Sequence, residues 1–174
     1  MSSFIIVGFF ALANGHRVHS AQPGSSKTVS HCHYMTIVQC LHGPEVDAKI
    51  HVFSPASEAI VHPNDTVAFV IAHASVQQHP FQILMEAEHL IPMPGNPEDD
   101  DYNERMPNFP YPFITAIGHV TNTHHAMQGE DAKTQINLSV SDDVHGSIQA
   151  STIQLVMSFH YEHLQFSLPY QIFF

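Results

Sequence analysis

The stretch DTVAFVIAHASV at residues 65–76 decides the fold, and FQILMEAEHL at residues 81–90 follows it after a short break. The middle of the first stretch is apolar without alternation, which is typical of a strand covered on both faces. Because a proline-containing break separates the two stretches, we predict a hairpin. A short helix over 81–90 is the alternative, since Leu, Met, Glu and Ala are strong helix formers. We favour the strand because prolines bracket a segment too short for a stable helix.

A proline-rich acidic loop comes next, IPMPGNPEDDDYNERMPNFPYPF at residues 91–113. Proline fixes φ and lacks a backbone donor, so this segment cannot join a strand ladder, and we predict an ordered surface loop. Its aromatic side chains would pin the loop to the sheet beneath, and they are also our candidate binding residues: Tyr102, Phe109, Tyr111 and Phe113.

Length and composition favour one compact β-domain. With 174 residues and 44% hydrophobic content the chain can bury a core, whereas two domains would each be marginal. We predict an N-terminal part over residues 1–30, made of a strand or weak signal-like segment plus a polar loop, and a β-barrel domain over residues 31–174.

The N-terminal apolar segment FIIVGFFALA, Phe4–Ala13, is too short to cross a bilayer as a helix. Ala11, Leu12 and Ala13 have the small-x-small form of a signal-peptide cleavage site, but no Lys or Arg precedes the apolar run. We therefore expect a buried first strand in an intracellular protein with no membrane partner, and keep secretion as the alternative.

The charge balance is strongly acidic. Five Lys and Arg against sixteen Asp and Glu give a formal net charge of −11 at pH 7, which repels a phosphate backbone. Sixteen histidines could reverse that sign in mild acid, because an ordinary imidazole titrates near ~6.5. The alternative is that histidine only replaces other polar residues and has no role of its own.

The two cysteines, Cys32 and Cys40, are eight positions apart. If they lie on one extended strand they are separated by roughly 25 Å, which is too far for a disulfide. Free thiols are more common in a reducing compartment.

The remaining segments also predict strands. Residues 34–41, 49–53, 114–121, 134–140 and 151–161 are rich in β-branched and aromatic residues, while 15–30 and 122–133 are polar and predict loops. About seven short strands and no long helical period indicate an all-β protein.

Four sequence segments resemble those of a known group of proteins: DTVAFVIAHA, ILMEAEHLIPMPGNPEDDDY, PNFPYPFITAIGHVT and INLSVSDDV. In this order they resemble uncharacterised mushroom-type fungal proteins, which carry no established activity. The pattern I-x-A-x-G-x-V followed by x-I-x-L-x-V-S-D looks like the first two strands of an OB-type Greek-key barrel of the replication-protein kind. The resemblance implies a barrel of the type that binds single strands or oligosaccharides on its face.

The candidate chemistry is that of a binding protein and not of an enzyme. There is no G-x-S-x-G, no phosphate-binding glycine loop and no Cys/His pair in a catalytic frame. His31 and His33 would share one side of a strand, and with His160 and His163 they are the candidate ligands if zinc or copper is bound. We expect no required cofactor and a protein partner of unknown identity; single-stranded nucleic acid and a His-bound metal are the alternatives.

Overall fold

The computed structural model describes residues 3–21, 28–40, 44–55, 60–78, 80–109, 111–128, 131–144, 147–160 and 171–173. Within these residues the chain forms eleven strands and one short 3-10 helix, so the predicted all-β class is confirmed. No helix in this described part is long and apolar enough to cross a membrane. The strands are β1 Ser3–Ala11, β2 Ala13–Ala21, β3 Thr28–Val38, β4 Val46–Phe53, β5 Val67–Gln78, β6 Phe81–Pro92, β7 Phe113–Ile117, β8 His119–Gln128, β9 Asp131–Val144, β10 Ser147–His160 and β11 Gln171–Phe173.

Contacts between Cα atoms divide the chain into two compact units. One contains residues 5–39 and 45–115, and the other contains residues 1–4, 40–44 and 116–174. A seven-stranded sheet has the order β2-β3-β4-β6-β5-β1-β7. A four-stranded sheet has the order β11-β10-β9-β8 and is antiparallel throughout.

The first six strands close into a barrel because β1 and β2 are two halves of one bent strand. β1 pairs antiparallel with β5, while β2, which begins after the single residue Leu12, pairs antiparallel with β3. β3 continues into β4, and β4 lies parallel to β6. With β1 and β2 counted together, this is the five-stranded Greek-key connectivity of an OB-type barrel.

The barrel strands follow their alternation. In β3, Cys32 and Tyr34 point inward and are buried, while His33 between them points outward, as the two-residue period of a strand requires. β1 and β4 show the same pattern, with Ile6 and Ile50 fully buried. The core is therefore filled by one face of each strand. The central hairpin predicted from residues 65–90 is confirmed as β5 and β6, and 81–90 is a strand and not a helix.

The proline-rich acidic loop runs over the same unit and is ordered by one buried ring. Tyr102 is 1% exposed, and its hydroxyl accepts a hydrogen bond at 3.0 Å from the backbone N–H of Val67, the first residue of β5. Next to it is the 3-10 helix Asn103–Arg105. Gly95 adopts φ +122°, and a Cβ there would lie 2.9 Å from Cδ2 of Tyr102. The loop thus needs a glycine both for its backbone and for the ring that anchors it.

The structure differs from the sequence-based expectation in four places. The polar residues 15–30 contain most of β2 and the start of β3, and the polar residues 122–133 contain most of β8. The segment predicted as one strand over 114–121 is divided at Gly118 into β7 and β8. Moreover, the barrel is built from residues 3–92, so the pattern in 114–140 that looks like the first OB strands belongs largely to the four-stranded sheet.

Candidate ligand-binding face

The outward side chains of β2, β3 and β4 form one continuous surface, which we call the barrel face. On these three strands the cross-strand register brings together residues that are far apart in sequence. In OB-type barrels the two central strands, here β3 and β4, carry the ligand-binding face. The barrel face therefore corresponds to the ligand-binding face of such barrels.

Three imidazoles form a row across the barrel face. His33 on β3 has His16 of β2 and His51 of β4 as its cross-strand neighbours. The rings of His33 and His51 stack with centroids 4.0 Å apart and an interplanar angle of 13°, and the His16 ring meets His33 edge-on at 5.4 Å. We call these three residues the histidine row. At its end, Nδ1 of His51 donates to Oε1 of Glu86 on β6 at 2.8 Å.

The centre of the histidine row resists protonation. The pKa of His33 is lowered to about 4, first by partial burial and then by the nearby His51, Lys49, His16 and His31. An ordinary imidazole titrates near ~6.5, so His33 stays neutral at pH values where a solvated histidine would be charged. The centre of the row therefore adds apolar ring surface and no positive charge to the barrel face.

An aromatic pair lies beside the histidine row. His31 of β3 pairs across the strands with Phe53 of β4 and Val18 of β2. The Phe53 ring meets the His31 ring edge-on, with centroids 6.1 Å apart and an interplanar angle of 77°. Phe53 is 60% exposed, so most of its ring is open to solvent. Together with the histidine row, this pair gives the barrel face two adjacent lines of rings.

The opposite end of the barrel face is acidic and borders a groove. Ile37 of β3, which is 51% exposed, pairs with Asp47 of β4. From there a groove of about 830 Å³ extends between the first strand and the proline-rich loop, whose Phe109 forms part of its wall. The barrel face therefore changes from aromatic at Phe53 to acidic at Asp47.

The four aromatic residues predicted to bind do not act together. Tyr102 is buried and anchors the loop, as described above, so it is not available to a ligand. Phe109, Tyr111 and Phe113 are 54%, 41% and 57% exposed, and of these three only Phe109 lines the large groove. Of these four aromatic residues, Tyr102 is therefore the one that holds the loop against the sheet.

The predicted metal ligands are only partly placed. His31 and His33 do lie on the same side of β3, as alternation predicts. His160 is the last residue of β10, whose side chains are not described, and His163 lies outside the described residues. In the part of the chain that the structure describes, no group of three or more His, Cys, Asp or Glu side chains could hold a metal ion. Cys32 and Cys40 are both free, as their spacing predicted.

Sequence reasoning missed the residues His16, His51 and Phe53. They come from strands separated by loops, and only the register of β2 and β4 on β3 brings them to His31 and His33. The available signal was the alternation of His31 and His33 on β3. That alternation identifies one face of β3, but it does not identify the residues of β2 and β4 that lie beside that face.

No protein-family model and no curated protein matches the sequence. A similar solved structure is that of a deletion mutant of the single-stranded DNA binding protein from Thermus aquaticus, at 11% identity and a TM-score of 0.44, with 90% of this chain and 75% of that chain covered. The comparisons assign the chain to no family.

Proposed function

We propose that this chain is a non-enzymatic binding module and that its barrel face binds a single-stranded nucleic acid. The observation that carries the proposal is the position of Phe53. It is an exposed ring on β4, edge-on to His31 and next to the stacked rings of His33 and His51. Rings on the central strands of an OB-type barrel can stack with unpaired bases, each base contributing roughly 1–3 kcal/mol.

Stacking must supply most of the affinity. The formal net charge of −11 opposes an anionic ligand, and Lys49 is the only lysine or arginine among the outward residues described for β3 and β4. Proteins that bind single strands usually have a positively charged groove, whereas this chain has a nearly neutral aromatic surface. We expect modest affinity, little sequence preference and weak dependence on salt.

Fluorescence anisotropy with a 5′-labelled thymidine dodecamer at low salt, at pH 6 and pH 8, tests the proposal. Phe53→Ala should weaken binding by about tenfold or more, which corresponds to the loss of one stacked base. Ile91→Ala is the matched control, because Ile91 is 55% exposed on β6 and lies outside β2, β3 and β4. The proposal is wrong if the wild-type protein does not bind the dodecamer at either pH, or if both variants bind as the wild type does.

A further inference from the structure

The groove beside the proline-rich loop is lined differently from the barrel face, and its acidic side chains are the opposite of what a nucleic-acid site requires. Its volume of about 830 Å³ is within the range of ligand-binding clefts. Among the residues that the structure describes, the lining combines apolar and acidic side chains and includes no Lys, Arg or His. We propose that this groove binds a basic peptide segment of a partner protein, with apolar side chains between its positive charges.

The floor and walls of the groove are apolar. Phe9 lies on the first strand, Met35 and Ile37 lie on β3, and Met106 and Phe109 come from the proline-rich loop. Ile37 and Phe109 are each more than half exposed, so both present hydrophobic area that a partner could cover. Burying such area contributes about 25 cal/mol per Å². An apolar side chain of the partner would therefore be held between β3 and the loop.

The rim of the groove is acidic on several sides. Glu45 and Asp47 lie at the start of β4, Asp65 precedes β5, and Glu104 lies in the 3-10 helix. All four are exposed, and within the described residues none of them forms an ion pair. The carboxylates come from three separate segments, and among the described residues no three of them are grouped closely enough to hold a metal ion. A peptide with several positive charges could contact all of them, and this charge complementarity selects a basic peptide as the occupant.

The loop wall is held in place without a ligand. Tyr102 is buried and bonded to Val67, and the turn that follows closes with hydrogen bonds from the N–H of Arg105 to the carbonyl of Tyr102 at 3.1 Å and from the N–H of Met106 to the carbonyl of Asn103 at 3.2 Å. Because these bonds fix the backbone on both sides of Glu104, the groove does not have to be ordered on binding. A preformed site loses less conformational entropy when the partner docks.

The test is anisotropy with a labelled, amidated heptapeptide in which Lys alternates with Leu and Phe. The double variant Asp65→Asn/Glu104→Gln should bind it about tenfold more weakly, because two rim charges are removed. Asparagine is suitable at position 65 because Asp65 has φ +63°, a conformation that asparagine tolerates. The control is Glu98→Gln/Asp100→Asn, which removes two exposed carboxylates of the same loop that do not line the groove and should change affinity less than twofold.

A second pair of variants tests the apolar wall. Phe109→Ala should weaken binding of the heptapeptide about fivefold, whereas Phe113→Ala, which removes an equally exposed ring outside the groove, should not. Spermine, which has the charge but no apolar side chains, should not displace the peptide. The inference is overturned if the groove variants and the control variants lose affinity for the heptapeptide equally. It is also overturned if spermine at matched charge displaces the peptide, because either result would mean that the peptide binds to acidic surface in general. Phe53→Ala should leave peptide binding unchanged, so the two proposals fail independently.

Discussion

The hydroxyl of Tyr102 accepts a hydrogen bond from the backbone N–H of Val67 at 3.0 Å. This contact joins the proline-rich loop to the first residue of β5, across 35 positions of sequence. The Tyr102 ring is buried while Phe109, Tyr111 and Phe113 are exposed. Tyr102 is thus the buried side chain that anchors the described part of the loop to the barrel, and the loop in turn supplies one wall of the groove.

Tyr102→Phe should lower the free energy of unfolding by about 1 kcal/mol, because the partly buried N–H of Val67 loses its acceptor while the ring remains. Tyr111→Phe is the control, since Tyr111 is 41% exposed and water can replace its hydrogen bonds. Urea unfolding followed by circular dichroism measures both. Equal stability of Tyr102→Phe and the wild type would contradict an anchoring role for the hydroxyl.

Gly95→Ala should destabilise the protein by roughly 1–3 kcal/mol. Alanine is strained at φ +122°, and its Cβ would lie 2.9 Å from the Tyr102 ring. Glu98→Ala, at an exposed position of the same loop, should stay within about 0.5 kcal/mol of the wild type. Thermal unfolding of the two variants measures the difference. A Gly95→Ala protein as stable as Glu98→Ala would mean that the loop tolerates another backbone conformation there.

Stability should fall as the pH is lowered from about 6.5 to about 4. The pKa of His33 is lowered to about 4 in the folded protein, so between these values the unfolded chain binds a proton that the folded chain does not. Burial also lowers the pKa of His62, which acts in the same direction. After allowance for its partial exposure, His33 should account for a loss on the order of 1–2 kcal/mol in the free energy of unfolding over this pH range.

His33→Gln should flatten that pH profile, because glutamine does not titrate. Met35→Gln changes the next outward residue of β3 without removing a titratable group and should keep the wild-type slope. Unfolding midpoints between pH 4 and pH 7 compare the three proteins. If His33→Gln loses stability in acid as steeply as the wild type, the effect comes from other groups.

Binding of the thymidine dodecamer should depend only weakly on salt at pH 8. One phosphate neutralised by Lys49 gives a slope of about −0.7 for log K against log salt concentration. Lys49→Gln should bring the slope close to zero, whereas Arg105→Gln should not, because Arg105 lies in the loop and pairs with Asp101. Titrations from 20 to 200 mM salt measure the slope. A much steeper dependence would mean that the ligand contacts a basic surface elsewhere.

The sequence predicted those parts of the fold that depend on local patterns. The hairpin of β5 and β6 was evident from two apolar runs and the prolines around them, and alternation predicted that His31 and His33 lie on the same side of a strand. The strand β2 was not predicted because its residues are polar. Nη2 of its inward Arg17 donates to the carbonyl oxygens of Ser54 and Pro55, each at 3.1 Å, a contact that no local pattern indicates.

The candidate site could not be predicted for the same physical reason. The stack of His33 on His51 and the contact of His31 with Phe53 depend on cross-strand register, which is set by loop lengths and core packing and not by the strand sequences alone. Likewise, Tyr102 and Phe109 belong to one aromatic set in the sequence, and only burial separates the anchor from the exposed wall of the groove.

The bend at Leu12 has a consequence for any shortened form of the chain. Residues 5–11 form seven consecutive pairs with β5, and the N–H of Leu12 donates to the carbonyl of Thr66 at 2.9 Å. Proteolysis at Ala13 would remove β1 and leave the edge of β5 unpaired over residues 67–73. Such an edge can recruit a strand from another molecule, so the trimmed protein would be prone to self-association.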